Sequence, residues 1–276
     1  MQDIPVELLD LFIEELYDDP SMEGERALRS CILVSKHFRH RALKHLFQNI
    51  KLNHYPRRMA KLRQIIVSPP NSSLRGVGAY IESLEIYWLY HAEGRLGDSP
   101  ASFRVYKNIV AVLRELHEED CAVRHLTLFV DITRSWIEIA PEFRKIFELL
   151  ATSRHLVSLT IQNAKSLPPS IVTGPSLKKL RLECDFLADS TLPYPPLLEE
   201  VFINHSHTFY HSPSAPRLSK LKKLEAINSG SQEFPQIWNT LCSASDTVED
   251  ISIQQHRKEI YRPFPLQNAN GLQIQN

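Results

Sequence analysis

A six-residue motif, with apolar residues at its first, fourth and sixth positions, recurs along most of this chain. It is most regular in the second half, where the fourth-position residues are Leu159, Leu180, Val201, Leu224 and Ile251. These positions are 21, 21, 23 and 27 residues apart. Side chains alternate between the two faces of a strand, so the fourth and sixth positions share one apolar face. Repetition at this period predicts stacked parallel strands in a solenoid.

The same motif occurs at wider spacing before residue 150. Its fourth positions there are Ile50, Leu84 and Leu126, and the longer intervals leave room for a helix between successive strands. Apolar residues at helical spacing predict helices over 56–67, 103–117 and 141–150, and a shorter helix near 236–241. The repeats between 159 and 224 have room only for a strand and an irregular return. We therefore predict an α/β fold with seven to nine repeat units over 47–256, followed by a tail at 257–276.

The first 46 residues follow a different pattern and form a separate helical module. Residues 1–25 contain nine acidic and no basic residues, whereas residues 26–81 contain twelve basic and no acidic residues. Apolar spacing predicts three short helices, the first of which starts at Pro5. Opposite charges on the first helix and the later ones favour their packing against one another.

This N-terminal module resembles the F-box family. The residues that carry the resemblance are Ile4-Pro5-Val6-Glu7-Leu8-Leu9, then Ile13, Leu16, Leu28 and Cys31, then Leu33-Val34-Ser35-Lys36-His37-Phe38-Arg39. The family pattern is Leu-Pro-x-Glu-Leu-Leu, then an Ile and a Leu, then Leu-Val-Ser-x-x-Phe/Trp-Arg. Two departures are visible: Ile4 replaces the usual leucine, and the stretch 17–27 is several residues longer than in the common form.

The resemblance implies docking on the Skp-type adaptor of a cullin-RING (SCF) ubiquitin ligase, while the rest of the chain captures a protein substrate. By position, the implied adaptor-binding residues are Ile4, Pro5, Leu8, Leu9, Ile13, Leu16, Val34 and Phe38. The alternative is that these residues are only the core of a small helical domain. So short a unit buries little surface alone, which favours a partner for its apolar residues.

The repeats resemble leucine-rich repeats of an irregular form, since the asparagine that usually follows the motif occurs only as Asn163 and Asn204, with Cys184 in a comparable place. An F-box start with such a body is similar to many fungal F-box proteins. Alternation on each strand predicts substrate-binding side chains on the concave sheet face: Glu85, Tyr87, Thr127, Phe129, Thr160, Arg181, Phe202, Glu225 and Ser252. Exposed aromatic residues there are candidate hot spots, unless loops or the tail cover them.

Composition sets limits on partners and location. The chain of 276 residues has 32 basic and 32 acidic residues, so no net charge attracts it to nucleic acid or membranes. No signal peptide or span of roughly 18 apolar residues is present, so we expect a cytoplasmic and/or nuclear protein without a membrane partner. The four cysteines are scattered, which suggests neither disulfides nor a zinc site.

Candidate chemistry is sparse, and we expect no enzyme activity, cofactor or metal. His205, His207 and His211 form the one compact histidine group, which we interpret as a polar loop. Glycine-rich phosphate loops and nucleophile elbows are absent. Two alternatives to a ligase subunit stay open: a repeat scaffold capped by the N-terminal module, and nucleic-acid binding through the basic residues of 57–63.

Overall fold

The computed structural model describes residues 5–18, 21–53, 56–66, 76–88, 100–118, 123–130, 135–184, 197–204, 219–228 and 247–255. Within these residues, eight strands form one open sheet in which strand order follows chain order and every neighbouring pair is parallel. The strands are β1 (Asn49–Leu52), β2 (Ser83–Trp88), β3 (His125–Val130), β4 (Ser158–Gln162), β5 (Lys179–Glu183), β6 (Glu200–Asn204), β7 (Lys223–Asn228) and β8 (Asp250–Gln255). Each strand contains the fourth and sixth positions of one copy of the motif, so the predicted α/β class with parallel strands is confirmed.

The apolar positions of the motif align across the sheet in two rows. The first row is Ile50, Leu84, Leu126, Leu159, Leu180, Val201, Leu224 and Ile251, and the second is Leu52, Ile86, Leu128, Ile161, Leu182, Ile203, Ala226 and Ile253. From β2 to β7 these side chains are at most 5% exposed. A slip of one residue in any strand would turn its polar positions into the core, so burial fixes the register.

Three helices cover the apolar face between the early strands. They are α4 (Pro56–Ile66), α5 (Pro100–Glu118) and α6 (Pro141–Ala151), close to the predicted bounds. Their buried residues share one core with the inward rows of the sheet. The described connection 163–178 contains a 3-10 turn at Pro169–Val172 and no α-helix, as its length predicted. The helix predicted near 236–241 lies outside the described residues.

Aromatic rings join the helical layer to the sheet. The Trp88 ring of β2 lies 4.4 Å from the Tyr106 ring of α5 and 4.0 Å from the Phe143 ring of α6, measured between centroids. Trp136 packs edge-on to Phe143 and Phe147, and it is only 2% exposed. Ring clusters of this kind bury large areas and hold the layers in fixed geometry.

The N-terminal residues form three helices: α1 (Val6–Asp18), α2 (Met22–Cys31) and α3 (Lys36–Phe47). We call these three helices the head. Ser21 and Ser35 act as N-caps, and their hydroxyls accept backbone N–H bonds at the starts of α2 and α3. The head has its own small core, in which Ile13 and Ala42 are completely buried. Asp10 of α1 pairs with His37 (3.0 Å) and Arg41 (2.6 Å) of α3, so the acidic and basic helices do pack together.

The head is joined to the sheet at the β1 end. Only Gln48 separates α3 from β1, and its carbonyl accepts hydrogen bonds from the backbone N–H groups of Glu82 (3.0 Å) and Ser83 (2.8 Å). Leu43 and Phe47 of α3 pack against the main core of the sheet. The head therefore covers the β1 end of the sheet.

Candidate protein interaction surfaces

An exposed apolar surface lies on the head. Its members are large apolar side chains of α1 and of the turn that joins α2 to α3: Leu8 (55% exposed), Leu11 (56%), Phe12 (52%), Leu33 (82%) and Val34 (66%). We call these five residues the head patch. The Phe12 ring meets the Phe38 ring edge-on with centroids 6.3 Å apart, so α1 contacts the first turn of α3, which begins two residues after Val34.

The apolar residues of α1 outnumber the positions that can face the head core. Leu8, Leu11 and Phe12 stand at i, i+3 and i+4, which makes them one stripe of the helix. Ile13, on another side of the helix, takes the core position and is fully buried. A helix that is apolar on two faces within a small domain leaves one face for solvent or for a partner.

The predicted adaptor-binding residues differ in their exposure. Pro5, Leu8 and Val34 are exposed; Leu9, Leu16 and Phe38 are partly buried; and Ile4 lies outside the described residues. Ile13 differs from the expectation, because it lies in the head core and offers no surface to a partner. Sequence reasoning did not assign Leu11, Phe12 and Leu33 to the interface, although the i, i+3, i+4 spacing from Leu8 was a signal for two of them.

The second surface is the sheet face opposite the inward rows, which we call the outward face. It consists of the side chains that alternate with the buried ones on each strand. The described helices α4, α5 and α6 pack on the inward rows and do not cover it. On β2 to β7 the central outward residues, such as Thr127, Thr160 and Phe202, are partly exposed.

At the β2–β3 end, the outward face presents an aromatic pair. Tyr87 and Phe129 are register partners, and their rings stack with centroids 4.6 Å apart and planes 11° apart. The Tyr87 hydroxyl donates to a Glu85 carboxylate oxygen (3.0 Å), and Lys51 pairs with the same oxygen (3.0 Å). Burial raises the pKa of Tyr87, with a further contribution from the Glu85 carboxylate, so this phenol stays protonated at neutral pH.

At the β4–β7 end, the outward face forms a shallow depression of about 230 Å³. The Arg181 guanidinium carbon lies 4.0 Å from the centre of the Phe202 ring, a cation–π contact. Glu183 accepts bonds from Arg181 (2.8 Å) and from Gln162 (3.0 Å), which holds the guanidinium in place. Such a depression suits a side chain or turn of a protein ligand better than an enclosed small molecule.

The structure therefore divides the predicted substrate-binding residues between two zones of one face. Glu85, Tyr87, Thr127 and Phe129 lie at the β2–β3 end. Thr160, Arg181, Phe202 and Glu225 come together in the depression, and Ser252 of β8 lies beside it as the register partner of Glu225. The expectation that these side chains share one face of the sheet agrees with the alternation of burial along the strands.

Other candidate chemistry is limited within the described ranges. There, no group of three or more His, Cys, Asp or Glu side chains is placed to bind a metal ion. His205, His207 and His211 lie outside those ranges, so their interpretation as a polar loop stays a prediction. In the same part of the chain, no helix is both long and apolar enough to cross a membrane.

Comparison of the chain with protein-family models, with curated proteins and with solved structures finds no match.

Proposed function

We propose that this protein is the substrate-recognition subunit of an SCF-type ubiquitin ligase. The head binds a Skp-type adaptor, and through it a cullin, while the outward face binds a protein substrate. The proposed role is binding and not catalysis, because a substrate-recognition subunit holds its substrate near the ligase. The observation that carries it is the head patch: five large apolar side chains are exposed on α1 and on the turn between α2 and α3, in a three-helix head whose sequence resembles the F-box.

The size of the head patch supports a partner. Burying one Leu or Phe side chain that was exposed contributes about 1.5–3 kcal/mol. Side chains such as Leu8, Leu11 and Phe12 are a little over half exposed, so each leaves about half of that free energy for a partner. Summed over the five residues of the patch, these contributions reach about 5–9 kcal/mol, which is comparable with the cost of association, so other contacts of the interface must supply the net affinity.

The outward face supports substrate binding by its composition. It combines a stacked pair, Tyr87 and Phe129, with the Arg181–Phe202 contact, and tyrosine and arginine are enriched among residues that dominate protein–protein binding energy. Its charged residues bond mainly to neighbours on the same face, which leaves the aromatic surfaces as the main source of affinity. The chemistry points to a folded or extended protein ligand.

Co-purification with a Skp-type adaptor tests the proposal. We expect the full chain to form a complex, and the double variant Leu8→Asp with Phe12→Asp to lower adaptor affinity at least about 100-fold. Ile137→Asp is the matched control, because Ile137 is 63% exposed in the 3-10 turn Trp136–Glu138, outside the head, and should not affect the complex. A folded wild-type chain without adaptor affinity, or a double variant that binds as wild type does, would contradict the proposal.

A second arm of the experiment addresses the outward face. Proteins captured by the wild-type chain should still be captured by the Leu8→Asp, Phe12→Asp variant. A Tyr87→Ala, Phe129→Ala variant should lose that capture and keep the adaptor. Loss of both activities in either variant would indicate a folding defect, which circular dichroism detects.

One observation favours a second candidate, a scaffold whose head serves only as a cap. Leu43 and Phe47 belong to the packing of the main core, so the head also stabilises the sheet. Under that alternative, removal of residues 1–45 collapses the fold, and the head-patch variants have no binding phenotype. Nucleic-acid binding through 57–63 stays a prediction, which steep salt dependence of association would reveal.

A further inference from the structure

Charged residues alternate in sign along the last four strands of the sheet. In each of the last four repeats, two adjacent charged residues lie between the first and fourth positions of the motif. We call such a pair a doublet. The doublets are Lys178 and Lys179 at β5, Glu199 and Glu200 at β6, Lys222 and Lys223 at β7, and Glu249 and Asp250 at β8. The second members are register partners across the four strands.

The alternation brings opposite charges into contact. Lys178 Nζ lies 2.9 Å from a Glu199 carboxylate oxygen, and Lys179 Nζ lies 2.7 Å from one of Glu200. Lys223 Nζ lies 3.7 Å from an Asp250 carboxylate oxygen. Opposite charges on adjacent strands attract and like charges in the same place repel, so each doublet prefers a neighbouring strand of the opposite sign.

The strand β8 is the exception to this arrangement. The acidic doublet of β6 lies between the basic doublets of β5 and β7. The acidic doublet of β8 has a basic neighbour only on β7, because no described strand pairs with the other edge of β8. Ile251 and Ile253 are 53% and 39% exposed, although their row partners on β7, Leu224 and Ala226, are at most 1% exposed. In the described part of the chain, this edge therefore combines backbone groups without a partner strand, two exposed isoleucines and an acidic doublet.

We propose that the free edge of β8 binds an extended segment of a partner protein that carries two basic residues followed by an apolar-x-apolar pattern. The segment adds a ninth parallel strand, since backbone groups at a sheet edge are a template for strand addition. Its apolar side chains cover Ile251 and Ile253, and its basic residues pair with Glu249 and Asp250. This inference goes beyond the proposed function and does not depend on adaptor binding.

Charge favours this occupant over a second copy of the chain. Parallel pairing of two β8 edges would place the acidic doublets opposite each other, which is repulsive. Antiparallel pairing around Ser252 would align each doublet with Gln254 and Gln255, which have no charge to offer. A basic segment is the occupant that continues the alternation seen from β5 to β8.

A peptide that copies residues 177–183 is a suitable probe, because it has the basic doublet and the apolar spacing. Its control is the same peptide with both lysines replaced by glutamate. Fluorescence anisotropy with the full chain should give at least about tenfold tighter binding of the basic peptide, since two attractive pairs are replaced by two repulsive ones. Binding should also slow hydrogen exchange at backbone amides of 250–255, but not at β5.

Charge reversal on the chain makes the test specific to this edge. The variant Glu249→Lys with Asp250→Lys should prefer the acidic peptide by a similar factor. The variant Glu14→Lys with Glu15→Lys makes the same charge change on exposed residues of α1 and should keep the preference for the basic peptide. If the reversal variant does not fold, Glu249→Gln with Asp250→Asn should bind both peptides equally.

Three results would overturn the inference. The first is equal affinity for the two peptides, or no binding at millimolar concentration. The second is an unchanged preference in the folded reversal variant. The third is a concentration-dependent dimer in sedimentation velocity that Ile253→Asp disperses, because a second copy would then occupy the edge. A failure of adaptor binding would leave all three measurements unaffected.

Discussion

Two isoleucines in the same apolar row provide a matched measure of how the sheet is built. Ile161 of β4 is fully buried, whereas Ile253 of β8 is 39% exposed. Replacing either by alanine removes three carbon atoms, which is about 2.4 kcal/mol of transfer free energy at about 0.8 kcal/mol each. At Ile161 the closed core adds a cavity cost, so we expect Ile161→Ala to lower the free energy of unfolding by about 3–4 kcal/mol.

At Ile253 the same change should cost far less. Only about three fifths of the side chain is buried, and solvent fills the space, so no cavity cost arises. Scaling the transfer term gives about 1.4 kcal/mol for Ile253→Ala, which leaves a difference of about 2 kcal/mol between the variants. Both substitutions keep the strand and its backbone bonds, so the difference reports burial alone.

Urea denaturation followed by tryptophan fluorescence suits this comparison. Trp88 and Trp136 are buried in the aromatic cluster, and their emission should shift when the core opens. Equal losses of unfolding free energy in the two variants would show that Ile253 is buried to the same extent as Ile161. That result would contradict the exposed edge of β8. A loss below about 1 kcal/mol for Ile161→Ala would refute the assignment of this row to the core.

Two further predictions concern single positions. A Cβ at Gly174 would lie 2.9 Å from the Ala151 carbonyl oxygen, so Gly174→Ala should destabilise the fold by about 1–3 kcal/mol, measured by the same denaturation; an unchanged midpoint would show that the backbone relaxes freely. Burial, with the positive charge of Lys44, lowers the pKa of His45 below that of an unfolded chain. The unfolded state then binds more protons, so stability should fall as the pH drops below about 6.5. Urea midpoints at pH 7.5 and pH 5 should differ less in His45→Gln than in wild type, and an identical drop would contradict the assignment.

Much of the sheet could be predicted from the sequence, because the same six-residue pattern specifies strand, face and register together. Two apolar positions of one parity place Leu180 and Leu182 inside and Arg181 outside without knowledge of any neighbour. The number of residues between successive strands then distinguishes repeats with a helix from repeats without one. The longer interval before β4 contains α6, whereas the shorter interval after β4 contains only the 3-10 turn Pro169–Val172.

The head was harder to predict, because its apolar residues are not confined to one side. Between Leu8 and Ile13 only Asp10 is polar, so the spacing permits several faces to be the buried one. Packing decides among them: the Asp10 pair with Arg41 turns one side of α1 toward α3, which buries Ile13 and leaves Phe12 exposed. That contact spans 31 residues and has no local signature.

The short joint at Gln48 has a mechanical consequence. With one residue between helix and strand, and with two backbone bonds tying that residue to the next strand, the chain has no hinge at this place. A protein bound to α1 would therefore hold the whole sheet in a fixed orientation relative to itself. A ligand bound to the outward face farther along the sheet would then be held at a fixed distance and direction from the protein bound to α1.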